Sequence, residues 1–165
     1  MTPYRQMYLD TNIFVMFKET KSREGFLLDL LFKFSASRRS SFVTSALTFS
    51  ELLVKPYRER DQDLIQTYSA WSRSTAWLTI TPVSTDVLDV AALLRAERGR
   101  LKLPDAIHLA TAIGMECSHF LTADMGLETV DNVVHPVLGD VGAVPLSILR
   151  PDEPTLTSLL QSLAE

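Results

Sequence analysis

The chain has 165 residues, 46% of them apolar and 22% charged, with a net charge of −4. That is enough for one domain with a substantial core, and no apolar run reaches the roughly eighteen residues of a membrane span. The acidic balance argues against a general nucleic-acid coating protein, and the lone Cys117 excludes an internal disulfide. With no signal-peptide pattern at the N-terminus, cytoplasmic residence is expected, with Cys117 as a small core residue.

Residues 4–9 read as a short strand, and Asp10-Thr11-Asn12 ends it with residues that favour turns and helix caps. Helical character follows, clearest over 24–35, where Phe26, Leu27, Leu30, Leu31 and Phe34 recur near a period of 3.6. A second strand over 41–44 leads into a helix through Ser45, Thr48 and Glu51, which is expected to stop around Lys55-Pro56. Residues 61–74 form the next helix, with Leu64, Ile65, Tyr68 and Trp71 on one side. A third strand spans 76–80 and closes at Pro82.

Ser84 or Thr85 then caps a helix carrying Val87, Leu88, Val90, Ala91 and Leu94, ending at Gly99. In the segment from Leu103 to Ala112, Pro104 suits the first helical position and Asp105 follows it, where the helix dipole favours negative charge. The rest of that helix is apolar enough to be largely buried. Residues 119–122 make a fourth strand with Asp124 just beyond, and 143–149 a fifth. A final helix over 155–164 has Leu156, Leu159, Leu160 and Leu163 on one side. Strands alternating with helices define an α/β fold with a central, mainly parallel sheet of about five strands flanked by helices.

Parallel sheets place ligand sites outside the carboxyl ends of their strands. Asp10 ends the first strand, Asp124 follows the fourth, and Asp105 begins the helix leading into it. Glu51 lies one to two turns into the helix after the second strand. Four carboxylates facing one cleft repel each other unless a counter-cation is present, and hard ions such as Mg²⁺ or Mn²⁺ prefer such oxygen ligands. Each has a plainer reading: Asp10 as a helix cap, Glu51 as the acid of a capping box with Thr48, Asp105 as dipole compensation, Asp124 as a turn residue before Gly126. Convergence, not any single residue, supports the metal reading.

Leu9-Asp10-Thr11-Asn12, Thr48-Phe49-Ser50-Glu51-Leu52, the Leu103–Ala112 segment and Leu121-Thr122-Ala123-Asp124 together resemble the ordered motifs of PIN-domain ribonucleases. The small VapC-type toxins of bacterial toxin–antitoxin pairs are the most similar group. The resemblance implies a single Rossmann-like PIN domain over residues 1–150, with 151–165 as a helical tail packed on the domain or on a partner. It implies a Mg²⁺- or Mn²⁺-dependent endoribonuclease, often a homodimer, with an RNA substrate, a small antitoxin protein as partner and no membrane association. Carried over by motif, Asp10, Glu51, Asp105 and Asp124 are the catalytic, metal-holding acids. Asn12 and Thr122 are polar neighbours that position carboxylates or water. Many relatives have a further acid three positions after Asp124, where this chain has Leu127.

Arg95, Arg98, Arg100 and Lys102 immediately precede Asp105 and are candidates for holding an RNA backbone, the alternative being a solvated helix end. His108, three residues after Asp105, reads best as a buried histidine holding a neighbouring group by a hydrogen bond. His119 and His135 read as structural, and no Cys/His set suggests zinc. Two other functions compete. A haloacid-dehalogenase-like phosphohydrolase also uses an aspartate after its first strand, but needs a second one two positions on, where Asn12 stands. A PIN-like RNA- or protein-binding module without catalysis is the other.

Overall fold

A computed structural model describes residues 6–38, 42–73, 75–142 and 145–164. The expected strand residues 4–5, 41 and 143–144, and the expected helix end at 74, lie outside the described residues. Strand β1 (Met7–Leu9) is buried along its length and hands over to α1 (Thr11–Glu19), whose N-cap is Asp10. Helix α2 (Arg23–Arg38) follows. Strand β2 (Phe42–Ser45) runs into α3 (Ala46–Glu59), capped by the Ser45 hydroxyl at the Leu47 N–H.

Helix α3 does not stop at Pro56. A proline removes one backbone donor, and here the helix continues for another turn with the Pro56 side chain buried. It ends instead at Arg60, whose left-handed backbone (φ 56°) turns its N–H back to the carbonyls of Pro56 and Tyr57. Asp61 then caps α4 (Gln62–Trp71) through the Leu64 N–H, so the chain reverses within two residues.

Strand β3 (Leu78–Thr81) precedes α5 (Thr85–Glu97), where Ser84 is the cap. Helix α6 (Leu103–Gly114) has Pro104 in its first turn and an unbroken buried run from Ala106 to Ile113. Strand β4 (His119–Leu121) comes next. A small antiparallel hairpin, β5 (Val134–His135) with β6 (Gly139–Asp140), precedes β7 (Ser147–Leu149) and α7 (Glu153–Ala164).

The main sheet is parallel throughout, in the order β3-β2-β1-β4-β7. Alternation along its short strands creates two cores. Met7, Leu9, Phe42 and Leu121 face α1, α2, α3, α4 and α7. On the other face Tyr8, Val43 and Phe120 meet α5 and α6. The first core is rich in aromatic rings, with Trp77 stacked on Phe32 at 4.7 Å. Helix α7 packs on α2, and Leu156 and Leu159 are buried in that core. Cys117 is buried in the second core, where desolvation pushes its thiol up to about 12.

From β1 the chain builds outward through β2 to β3, then returns to the other side of β1 to lay down β4. The order therefore reverses between β1 and β4, which is where open α/β sheets gather their ligands.

Candidate active site

The chain leaves β1 at this reversal through Asp10, which is buried. One carboxylate oxygen accepts the Thr11 N–H at 2.8 Å. The other accepts the Asn12 amide at 3.0 Å and the Thr122 hydroxyl at 2.6 Å. Asn12 also donates to the Thr122 hydroxyl and accepts the Ala123 N–H at 2.9 Å, while Thr122 accepts the Asp124 N–H. Asn12 and Thr122, both expected as polar supports, thus bind the exit of β1 to the exit of β4. Asp10 is a cap and a member of the acidic group at once.

Glu51 is not part of a capping box. Ser45 caps α3, and the Thr48 hydroxyl is buried against Thr44 at 2.7 Å, which in turn donates to the Leu9 carbonyl. One turn on, Glu51 accepts a hydrogen bond from Thr11 and another from His108 Nε2 at 2.8 Å. His108 Nδ1 meets the Tyr8 phenol at 2.6 Å, and that phenol accepts the Ser45 N–H at 3.0 Å. His108 thus bridges the Tyr8 phenol and the Glu51 carboxylate, with one ring nitrogen turned to each. Burial raises the Glu51 carboxyl, but the bonds from His108 and Thr11 outweigh it and hold the group below its usual range. Burial also pushes Tyr8 far up, so its phenol stays protonated.

Asp105 and Asp124 have a different setting. Both line a cleft of about 750 Å³ together with Arg98, Arg100, Lys102 and Glu128. Burial first, then the charges of Asp124 and Asp10, push the Asp105 carboxyl up, partly offset by His108 and Lys102. Asp124 is seated by its own turn, with Oδ1 accepting the Gly126 N–H at 2.8 Å. A Cβ at Gly126 would stand 3.2 Å from that oxygen, so glycine leaves the carboxylate room over the amide.

Of the four acids, Asp10 and Glu51 are tied together through Thr11 and His108, while Asp105 and Asp124 share the cleft; Asp105 feels the charge of both Asp124 and Asp10. Among the described residues no three His, Cys, Asp or Glu side chains are gathered tightly enough to enclose a metal ion. Leu127, which takes the place of the further acid, is buried in the second core, and Glu128, one position on, lines the cleft instead. Of the basic candidates, Arg98, Arg100 and Lys102 reach the cleft. Arg95 is turned to its own loop and donates to the Leu101 carbonyl at 3.2 Å.

Sequence reasoning passed over Tyr8, Thr11, Glu128 and Arg150. Thr11 lay inside a recognised motif, and Glu128 was one position from the place where an acid was sought. Nothing local marked Tyr8 or Arg150, whose partners are distant in the chain. His135 is structural, as expected: it pairs with Asp89 at 2.9 Å and accepts two N–H bonds from its own hairpin turn.

A parallel sheet with acids gathered at its point of reversal defines an α/β protein with an acidic cleft. The PIN domain family matches residues 7–133, most of the chain, and this protein belongs to that family. A toxin–antitoxin complex from Klebsiella pneumoniae contains a chain of similar fold, with a TM-score of 0.55 at 22% identity, covering 89% of this chain and 98% of that one. VapBC2 from Rickettsia felis, bound to a DNA fragment from its promoter, gives a TM-score of 0.57 at 16% identity, covering 73% and 89%. At these identities the likeness is one of fold. No curated protein matches the sequence, and among the described residues no helix is long and apolar enough to cross a membrane.

Proposed function

We propose that this PIN-domain protein is a divalent-metal-dependent endoribonuclease that hydrolyses RNA phosphodiester bonds, and the toxin member of a toxin–antitoxin pair. The observation that carries the reading is one cleft in which Asp105 and Asp124 lie under Arg98, Arg100 and Lys102, with Asp10 close enough to raise Asp105.

The donors fit Mg²⁺ or Mn²⁺. All are oxygens, and Mg²⁺ keeps several waters and needs only one or two carboxylates, so a fully enclosing set of ligands is not required. When bound, such an ion lowers the cost of activating water and of charge building on the phosphate. Asp105 and Asp124 would hold it, with the remaining acceptor capacity of Asp10. Glu51 acts at one remove: ionised and fixed by Thr11 and His108, it keeps negative charge beside Asp10 without occupying the cleft. Asn12 and Thr122 keep the two strand exits, and so Asp10 and Asp124, in fixed relation. Arg98, Arg100 and Lys102 would neutralise substrate phosphates at the rim.

Both Asp10 oxygens are committed to hydrogen bonds, which weighs against the nucleophilic aspartate of a phosphohydrolase. The toxin reading adds a small antitoxin whose segment covers the cleft, a homodimeric assembly and a cytoplasmic setting, supported by the family and by the fold shared with chains of toxin–antitoxin complexes.

The test is cleavage of structured RNAs with single-stranded loops, in Mn²⁺, Mg²⁺ or EDTA, by wild type and Asp105→Asn. The expected result is metal-dependent cleavage, largely lost in the variant. Equal cleavage by both folded proteins would sink this site. No cleavage by wild type with either metal would favour a binding module without catalysis.

A further inference from the structure

The turn that carries Asp124 has neither helix nor strand of its own, so its carbonyls need partners from elsewhere. The Leu127 N–H reaches the Asp124 carbonyl at 3.4 Å, and a single side chain supplies the rest. Arg150 donates through Nη1 to the Asp124 carbonyl at 2.6 Å and to the Thr122 carbonyl at 3.4 Å, and through Nη2 to the Leu127 carbonyl at 2.7 Å.

Topology puts it there. Leu121 and Leu149 are opposite each other in the parallel pair β4–β7, so residue 150 leaves the sheet beside Thr122. Pro151 follows, and a residue before proline is held extended. Among the described residues Arg150 makes no ion pair. Its planar fork is spent on backbone oxygens, a task that a lysine's point charge performs poorly. Leu127, buried beneath, anchors the same turn on its apolar side.

We propose that Arg150 is a positioning residue for the acidic cleft: by clasping the carbonyls of Thr122, Asp124 and Leu127, it keeps the Asp124 carboxylate beside Asp105 in the arrangement that takes a divalent cation. This rests on the nuclease reading above. Arg150 is not among the residues that line the cleft. It acts through the direction in which the turn presents Asp124, and loss of such an outer partner commonly weakens metal affinity about 10- to 100-fold.

The experiment uses the full chain, metal-free, as wild type, Arg150→Met and Arg150→Lys. Mn²⁺ affinity is measured by calorimetry, amide exchange is followed residue by residue, and RNA cleavage is resolved into kcat and KM. Arg150→Met is expected to bind Mn²⁺ about 10-fold more weakly, to exchange faster at the amides of Gly126 and Leu127 but not in α6, and to lose kcat more than KM. Arg150→Lys should fall between the two. Wild-type Mn²⁺ affinity in Arg150→Met overturns the proposal. So does weaker binding accompanied by faster exchange throughout α6 and β4, which would make the role structural alone. A wild type that neither binds Mn²⁺ nor cleaves RNA contradicts the nuclease reading itself, and the role of Arg150 falls with it.

Discussion

At the exit of β1, Asp10 accepts hydrogen bonds from Thr11, Asn12 and Thr122, and its neighbour Glu51 accepts them from Thr11 and His108. Across the cleft, Asp105 is also an aspartate at the start of a helix, yet what acts on it is burial and the repulsion of Asp124 and Asp10. The protein completes the first pair of acids internally and leaves Asp105 dependent on something from outside. Negative charge on Glu51 therefore contributes to the fold, whereas negative charge on Asp105 costs stability until a cation arrives.

The largest expected effect comes from removing a carboxylate on either side. Asp105→Asn and Asp10→Ala should each reduce metal-dependent cleavage about 100-fold or more, the scale of several kcal/mol of charge stabilisation. Their stabilities should diverge. Asp10→Ala strands the Asn12 amide and Thr122 hydroxyl and should cost about 1–3 kcal/mol in denaturant unfolding. Asp105→Asn should stabilise the metal-free protein at neutral pH. The folded-state pKa of Asp105 is raised, so its penalty is full above that value and fades as pH falls through it toward the ordinary aspartate range. Loss of the variant's advantage on acidification, followed by melting in EDTA, checks the sign.

His108→Ala should come next, costing about 1–3 kcal/mol because Tyr8 and Glu51 both lose a buried partner. Glu51 should behave oppositely to Asp105 with pH. Its folded pKa is lowered, so its stabilisation is present above the ordinary glutamate range and is lost as pH falls through the lowered value. Glu51→Gln should flatten that part of the stability profile. The smallest effect belongs to the rim: Lys102→Ala should weaken RNA binding uniformly across sequences and reduce the salt slope by about 1.

Much of this architecture is readable in the chain because it is written locally. Asp10, Ser45, Asp61 and Ser84 each announce the helix that follows, and the strands of the main sheet are short apolar runs between them. The four acids were identifiable because strand ends and helix starts fix where such residues emerge. Pro56 misled, since its penalty is one missing hydrogen bond and the left-handed stop at Arg60 lies four residues further on. The hairpin at Val134–His135 and Gly139–Asp140 has strands too short to show alternation. Tyr8, the middle residue of β1, and Arg150, just beyond β7, bond to groups 100 and about two dozen residues away. No spacing rule connects such pairs; only the order of the strands does.

The most direct measurement is the melting temperature of wild type and Asp105→Asn in EDTA and across a Mn²⁺ titration at neutral pH. Binding to the folded state alone raises stability by mass action. Asp105→Asn should melt higher than wild type in EDTA, and Mn²⁺ should raise wild type while leaving the variant nearly unmoved. A wild type indifferent to Mn²⁺, or a variant that gains as much from it as wild type does, would contradict the claim that Asp105 holds a divalent cation.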